Sequence, residues 1–219
     1  CPGVSKSVSH HPDTTCRHIG GRDFFIFSGS VRQKWAESLG ANISSVPPPA
    51  AERYPFEAAL NACLIGKFAL FSERTVVPSL RAALAAKGYE IVPVNQGYAA
   101  CSVAVADEGT GITADPGIAA ALEQRGVEVL RISPGHIPLA CHEYGCICGA
   151  FGKGAPDLAL FTCRLDTHPD GERILSFLAG RGIAARYLTS GPAFDAGGLV
   201  PVTETPCRGG NHITRKSIY

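Results

Sequence analysis

Methionine is missing from all 219 residues, position 1 included, so the chain reads as one that lacks its natural start. Neither sign of charge dominates: 20 Lys and Arg stand against 19 Asp and Glu, for a net charge of +1. A balance that even builds no broad basic field, so nucleic acid is not an expected partner. No apolar run approaches the roughly 18–20 residues that span a bilayer, which excludes a transmembrane helix and a membrane partner. No basic-then-apolar leader opens the chain, and no secretion signal is expected. A glycine-rich phosphate loop after the first strand is also missing, which argues against an ordinary doubly wound sheet. No cofactor is expected.

Cysteine, by contrast, is plentiful. Nine occur, at positions 1, 16, 63, 101, 141, 146, 148, 163 and 207, an odd count with irregular spacing that does not suit a disulfide framework. Several lie in apolar runs such as Asn61-Ala-Cys-Leu-Ile and Leu160-Phe-Thr-Cys, where a reduced thiol acts as a small hydrophobe. A reducing, cytoplasmic setting is expected. The apolar share, 45 %, is that of a chain with a folded core.

A repeat runs through the chain. Four helices are predicted, each with a start signal, an apolar i, i+4 stripe and a glycine stop. Ser30 opens Val31, Trp35 and Leu39, closed by Gly40; Pro78 opens Leu80 and Leu84, closed by Gly88. Asp115 caps Ile118 and Leu122, closed by Gly126; Asp170 caps Ile174 and Leu178, with Gly180 and Gly182 beyond. A short extended run follows each stop, as in Gly88-Tyr-Glu-Ile-Val-Pro-Val and Gly126-Val-Glu-Val-Leu-Arg-Ile. A strand pair split by a glycine or charged turn precedes each helix. The order is strand, strand, helix, strand. Unit starts placed at His18, Asn61, Cys101 and Tyr144 are separated by 43, 40 and 43 residues, and a partial fifth unit starts 51 residues later at Asp195. The predicted class is α/β, a propeller of ββαβ repeats around a pseudo-fivefold axis with an incomplete fifth unit. One domain over residues 1–204 and a polar tail over 205–219 are expected. The fifth unit should lack its helix, the missing N-terminal piece being the natural donor, and an exposed edge there makes an oligomer possible.

Several segments together carry a resemblance: His10-His-Pro-Asp with His18-Ile-Gly-Gly, Asn95-Gln-Gly-Tyr-Ala-Ala-Cys-Ser, Thr113-Ala-Asp-Pro-Gly-Ile, Ser133-Pro-Gly-His-Ile, Tyr144-Gly-Cys-Ile-Cys-Gly-Ala-Phe-Gly and Thr167-His-Pro-Asp-Gly. The chain resembles, from about residue 8 to about residue 204, an uncharacterised bacterial family with the guanidino-group-modifying-enzyme (pentein) fold. Members usually begin with a further strand and helix, and where they carry Phe-Ile-Gly-Gly this chain has Cys146-Ile-Cys148-Gly. The resemblance implies a superfamily of deiminases, dihydrolases and amidinotransferases that use a cysteine, a histidine and acidic residues on the axis. It also includes a non-catalytic ribosome-binding factor, so fold alone does not decide between enzyme and binder.

In such a fan the unit starts crowd the axis. Cys101 would supply a thiolate nucleophile, His18 would hold or move the proton, and Asp195 would orient a guanidinium, which makes these three the candidate catalytic residues. Cys101 as a plain core residue is the competing reading. Asn61, Tyr144, Cys146, His136 and His168 are candidate substrate-binding residues for a small guanidino compound. Cys141, His142, Cys146 and Cys148 form the densest ligand cluster, but a single residue between paired cysteines is unusual for zinc, so a structural role is favoured and no metal is expected. His11-Pro-Asp13 and His168-Pro-Asp170 repeat one tripeptide, read either as a substrate-facing loop or as a turn at Asp13 and a helix cap at Asp170, the cap being favoured for Asp170.

Overall fold

Each unit forms because a tight hairpin, a short amphipathic helix and a glycine stop succeed one another in the chain. The computed structural model describes residues 3–206 and 213–218. A single turn, α1 (Pro12–Thr15), leads into β1 (Cys16–His18), β2 (Asp23–Phe27), α2 (Arg32–Ser38) and β3 (Asn42–Val46). A 3-10 turn over Phe56–Ala58 precedes β4 (Cys63–Ile65), β5 (Phe68–Phe71), α3 (Pro78–Ala86) and β6 (Glu90–Pro93). The third unit is α4 (Ala99–Ser102), β7 (Val103–Asp107), β8 (Thr110–Thr113), α5 (Pro116–Glu123) and β9 (Glu128–Arg131). A 3-10 turn over Ile147–Ala150 opens the fourth, with β10 (Phe151–Ala155), β11 (Leu158–Phe161), α6 (Gly171–Ala179) and β12 (Ala184–Tyr187). The result is four three-stranded sheets of one topology: an antiparallel hairpin, then a helix that returns the chain as a parallel strand beside the second strand. Equivalent positions pair alike, as in Cys63 with Leu70 and Val103 with Thr113.

The glycine stops work as the sequence suggests. Gly40, Gly88, Gly126 and Gly182 all have positive φ, where a side chain would be strained. In each, the next residue's N–H donates to the carbonyl five back: Ala41 to Ala36, Tyr89 to Leu84, Val127 to Leu122, Ile183 to Leu178. That bond satisfies an end-of-helix carbonyl and turns the chain into the third strand. Asp115 caps α5 as expected, its Oδ1 accepting the Ile118 N–H at 2.9 Å.

The core lies between consecutive units. Phe25 and Phe27 of the first sheet pack with Phe71, Leu80 and Leu84 of the second unit. Cys63, Ile65 and Leu70 pack with Val103, Ile118 and Leu122 of the third. Ala104 and Ile112 pack with Phe151, Phe161, Ile174 and Leu178 of the fourth. The fifth sheet is a two-stranded hairpin, β13 (Val200–Pro206) with β14 (Ile213–Ile218). Val200 and Val202 pack against Cys16, Phe24 and Ile26 of the first unit, and β14 lies beside β10 of the fourth.

Several expectations are corrected. His18 and Tyr144 do not mark strand starts: β1 begins two residues before His18, which ends it, and Tyr144 precedes β10 by seven residues, exposed on a loop. Trp35 does not face the core; it is 58 % exposed, and α2, which starts at Arg32, instead buries Arg32 and Ala36. Asp170 does not cap α6 with its side chain; its carboxylate instead accepts the Ser133 N–H at 2.7 Å and pairs with Arg173. Of the expected tail, residues 213–218 form β14, which pairs with β13 along its length. Cys1 and Cys207 lie outside the described residues.

Candidate active site

The turns that lead into the first strands bring one polar residue from each unit to a common point. Asn61, 0 % exposed, ties three units together. Its Nδ2 donates to the Asp13 carbonyl at 3.2 Å and lies 3.0 Å from Cys101 Sγ, while its Oδ1 accepts the Ala100 N–H at 2.7 Å. Asp195 joins the fourth and fifth units: Oδ2 accepts the Cys146 N–H at 2.8 Å and Oδ1 the Gly197 N–H at 2.9 Å. His11 Nδ1 lies 3.5 Å from Asp195 Oδ1. Gly145 and Gly149 leave the room Asp195 fills; a Cβ on either would run into its side chain.

Burial sets the protonation of this cluster. Asp13 is almost wholly buried, and its carboxyl is pushed up to about 7, first by burial and then by the neighbouring Asp195 charge. Its Oδ1 accepts the Thr14 hydroxyl at 3.3 Å; its Oδ2 has no N–H or O–H donor, and the Cys101 thiol is the group beside it. Cys101 is raised well above an ordinary thiol by burial and then by Asp13. Cys146 is pushed up to about 12 by burial and Asp195. Burial holds His11 below the usual histidine value despite the Asp195 charge. Burial and the acidic neighbours therefore hold both thiols above the ordinary value.

A cleft of about 270 Å³ opens next to this cluster. Gln96, Ser102, Asp115, His136, Tyr144, Cys146 and His168 line it. The rings of His136 and His168 meet edge to face, centroids 5.5 Å apart. Tyr144, Cys146, His136 and His168, all read from the sequence as substrate-binding, thus share one cleft, whereas Asn61, Cys101 and Asp195 form the cluster behind it. Cys146 belongs to both. His18 belongs to neither: its Nε2 lies 3.1 Å from the Gly21 carbonyl, at the far end of β1 from Asp13.

His11, Asp13 and Asp115 were not singled out as site residues. A signal for Asp13 existed: it precedes Cys16, the start of β1, by three residues, much as Asn61 and Cys101 precede Cys63 and Val103 by two. Cys141, His142, Cys146 and Cys148 do not form one site. Cys141 is exposed, His142 Nε2 lies 2.9 Å from Ser7 Oγ, and Cys146 faces the cleft. Among the described residues no three His, Cys, Asp or Glu side chains converge to hold a metal ion. Nor, among them, is any helix long and apolar enough to cross a membrane.

No curated protein matches the chain. Among solved structures, one similar to it is the inosamine-phosphate amidinotransferase StrB1 from Streptomyces griseus, at 16 % identity and a TM-score of 0.44 over 86 % of this chain. The chain spans 65 % of that protein's length. The family model of a family of unknown function, DUF6873, matches residues 1–200, and the chain belongs to that family.

Proposed function

We propose that this chain is a pentein-type, thiol-dependent hydrolase or transferase that acts on a small guanidine or amidine cation held at the inner end of the cleft. The observation that carries the reading is Asp13: a buried carboxyl whose Oδ2 lacks an N–H donor, next to Asp195 and two thiols. A guanidinium supplies planar N–H donors and a positive charge at Asp13 Oδ2, where Arg17 is only a lesser influence, its Nη2 donating to the Asp13 carbonyl at 3.5 Å. Its arrival would favour ionised Asp13 and thiolate together, so the nucleophile forms when the substrate is present.

Cys146 faces the cleft and is the thiol a ligand meets first. Its sulfur would attack the amidine carbon, making a C–S bond and a tetrahedral centre. His11, joined through Asp195 to the Cys146 backbone, would carry the thiol proton to the departing amine. Water or an acceptor amine would then break the C–S bond. Cys101, the nucleophile expected from its place in the repeat, is the second candidate. The Asn61 N–H directed at its sulfur favours a thiolate there, but the residue is only 7 % exposed. That closure, with the hydrogen-bonded Asp195, also favours the alternative of a non-catalytic binding protein.

Labelling with a chloroacetamidine, followed by mass mapping, separates these readings. The enzyme reading expects Cys146 to be modified ahead of the exposed Cys141 and to be protected by guanidinium. Modification of Cys101 instead transfers the nucleophile to it. Reaction confined to Cys141, with no protection, supports the binder.

A further inference from the structure

The outer half of the cleft is poorly equipped to hold an anion. No Lys or Arg lines it among the described residues. Three of the N–H donors at its wall are already used by the protein's own carboxylates. Ser133 N–H goes to Asp170 Oδ2, Gln96 Nε2 donates to Asp115 Oδ2 at 3.1 Å, and Ile118 N–H, at the start of α5, goes to Asp115 Oδ1. That last bond matters because Pro116 brings the N-terminal end of α5 to the cleft, and a free helix N-terminus would attract an anion. Arg173, beside Asp170, is paired with it. His168 accepts the Asp170 N–H on Nδ1 at 3.0 Å, and burial lowers its pKa, so the ring is neutral at pH 7. What the wall offers is the Asp115 carboxylate, with free lone pairs on both oxygens, flanked by Tyr144 and the two imidazoles.

We infer that Asp115 sets the specificity of the cleft by receiving a second positive group on the ligand, so that the preferred ligand is a guanidine with an ammonium tail and a carboxylate tail is rejected. The inference rests on the guanidine reading above and adds the chemistry of the other end. A carboxylate tail would meet Asp115 and the α5 terminus already neutralised, and like charges facing each other in a cleft cost binding. An ammonium gains a charge-assisted hydrogen bond in the same place. The cleft volume, about 270 Å³, suits a ligand of this small size.

Three ligands share a four-carbon guanidine and differ at the tail: 4-guanidinobutylamine, butylguanidine and 4-guanidinobutyrate. Calorimetry on the whole chain should rank them in that order, with roughly tenfold or more between the first and last at low salt. Asp115→Asn keeps the helix cap, since asparagine caps as well as aspartate. It should bring the amine and carboxylate ligands to within about threefold of each other. Equal binding of all three ligands by the native chain, or a preference that survives Asp115→Asn, overturns the role of Asp115 and leaves the guanidine reading standing. Failure of all three to bind, with butylamine binding in their place, overturns the guanidine reading but not the amine-directed role of Asp115. No binding by any of the four overturns both. Equal melting temperatures of native and variant chains confirm that the fold is unchanged.

Discussion

The second and third units are nearly interchangeable at their outer ends and unlike at their inner ends. Outside, Gly88 and Gly126 share positive φ, and Tyr89 and Val127 donate to the carbonyls of Leu84 and Leu122 in the same way. Inside, one unit presents Asn61 and the other Cys101, and the first and fifth add Asp13 and Asp195. Outer ends solve the same local problem, ending a helix and starting a strand, so they converge on one solution. Inner ends face one another, and five copies of one polar residue there would place like groups together at low dielectric. The repeat is conserved within the chain where the physics is local and broken where it is shared.

Measurements on matched positions can break that contrast. The largest effect should come from pH. A Cys146 pKa of about 12 means that its alkylation by a neutral reagent rises about tenfold per pH unit between 7 and 10, roughly a thousandfold in all. A rate that levels off below pH 9 would show a thiolate already stabilised in the unliganded site. Guanidinium at fixed pH should accelerate the reaction if it binds beside Cys146 without covering the sulfur, and slow it if it covers the sulfur; no effect in either direction counts against a cation at the cluster.

Next come substitutions at the inner ends. Asn61→Ala removes the bonds that reach the first and third units and should cost about 3 kcal/mol, lowering Tm by roughly 10 °C. Gly149→Ala should cost as much, because its Cβ meets the Asp195 carboxylate. Gly126→Ala is the matched outer change. Nothing lies within 4 Å of its Cβ, so only the positive φ is strained, at about 1 kcal/mol. Urea melts of the three variants decide it; an outer change as costly as the inner ones would abolish the distinction.

Asp13 supplies an intermediate effect with a definite sign. Its carboxyl binds a proton up to about pH 7 in the folded chain but only to about pH 4 when unfolded. Between those values the folded state holds the extra proton, so this group's contribution to stability falls as pH rises from about 4 to about 7. Asp13→Asn should therefore gain on the native chain by about 1–2 kcal/mol in Tm-derived stability between pH 5 and pH 8. Native and variant curves that run parallel over that range would show Asp13 ionised and partnered throughout. The same linkage makes cation binding tighter with rising pH, with release of about one proton per ligand.

The four glycine stops, the helix stripes of α3, α5 and α6, and the Asp115 cap were readable from the chain because each depends on residues within one turn of each other. The convergence of Asn61, Cys101 and Asp195 followed from counting repeats. The count failed at His18 and Tyr144, where hairpins of different length moved the strand starts and put Asp13 and Cys146 at the inner ends instead. Asp170 illustrates the other limit: a serviceable cap signal lost to the Ser133 N–H, 37 residues away in sequence.

The sequence by itself determined the unit: which residues turn, which alternate, where a helix must stop. Those preferences act over a few bonds and do not need a neighbour. Only the tertiary structure decided which polar groups share the cluster and which thiol meets the cleft. It also decided that Asp13 is held near pH 7. Burial and the approach of Asp195 are properties of five units packed together, and no stretch of chain carries them alone.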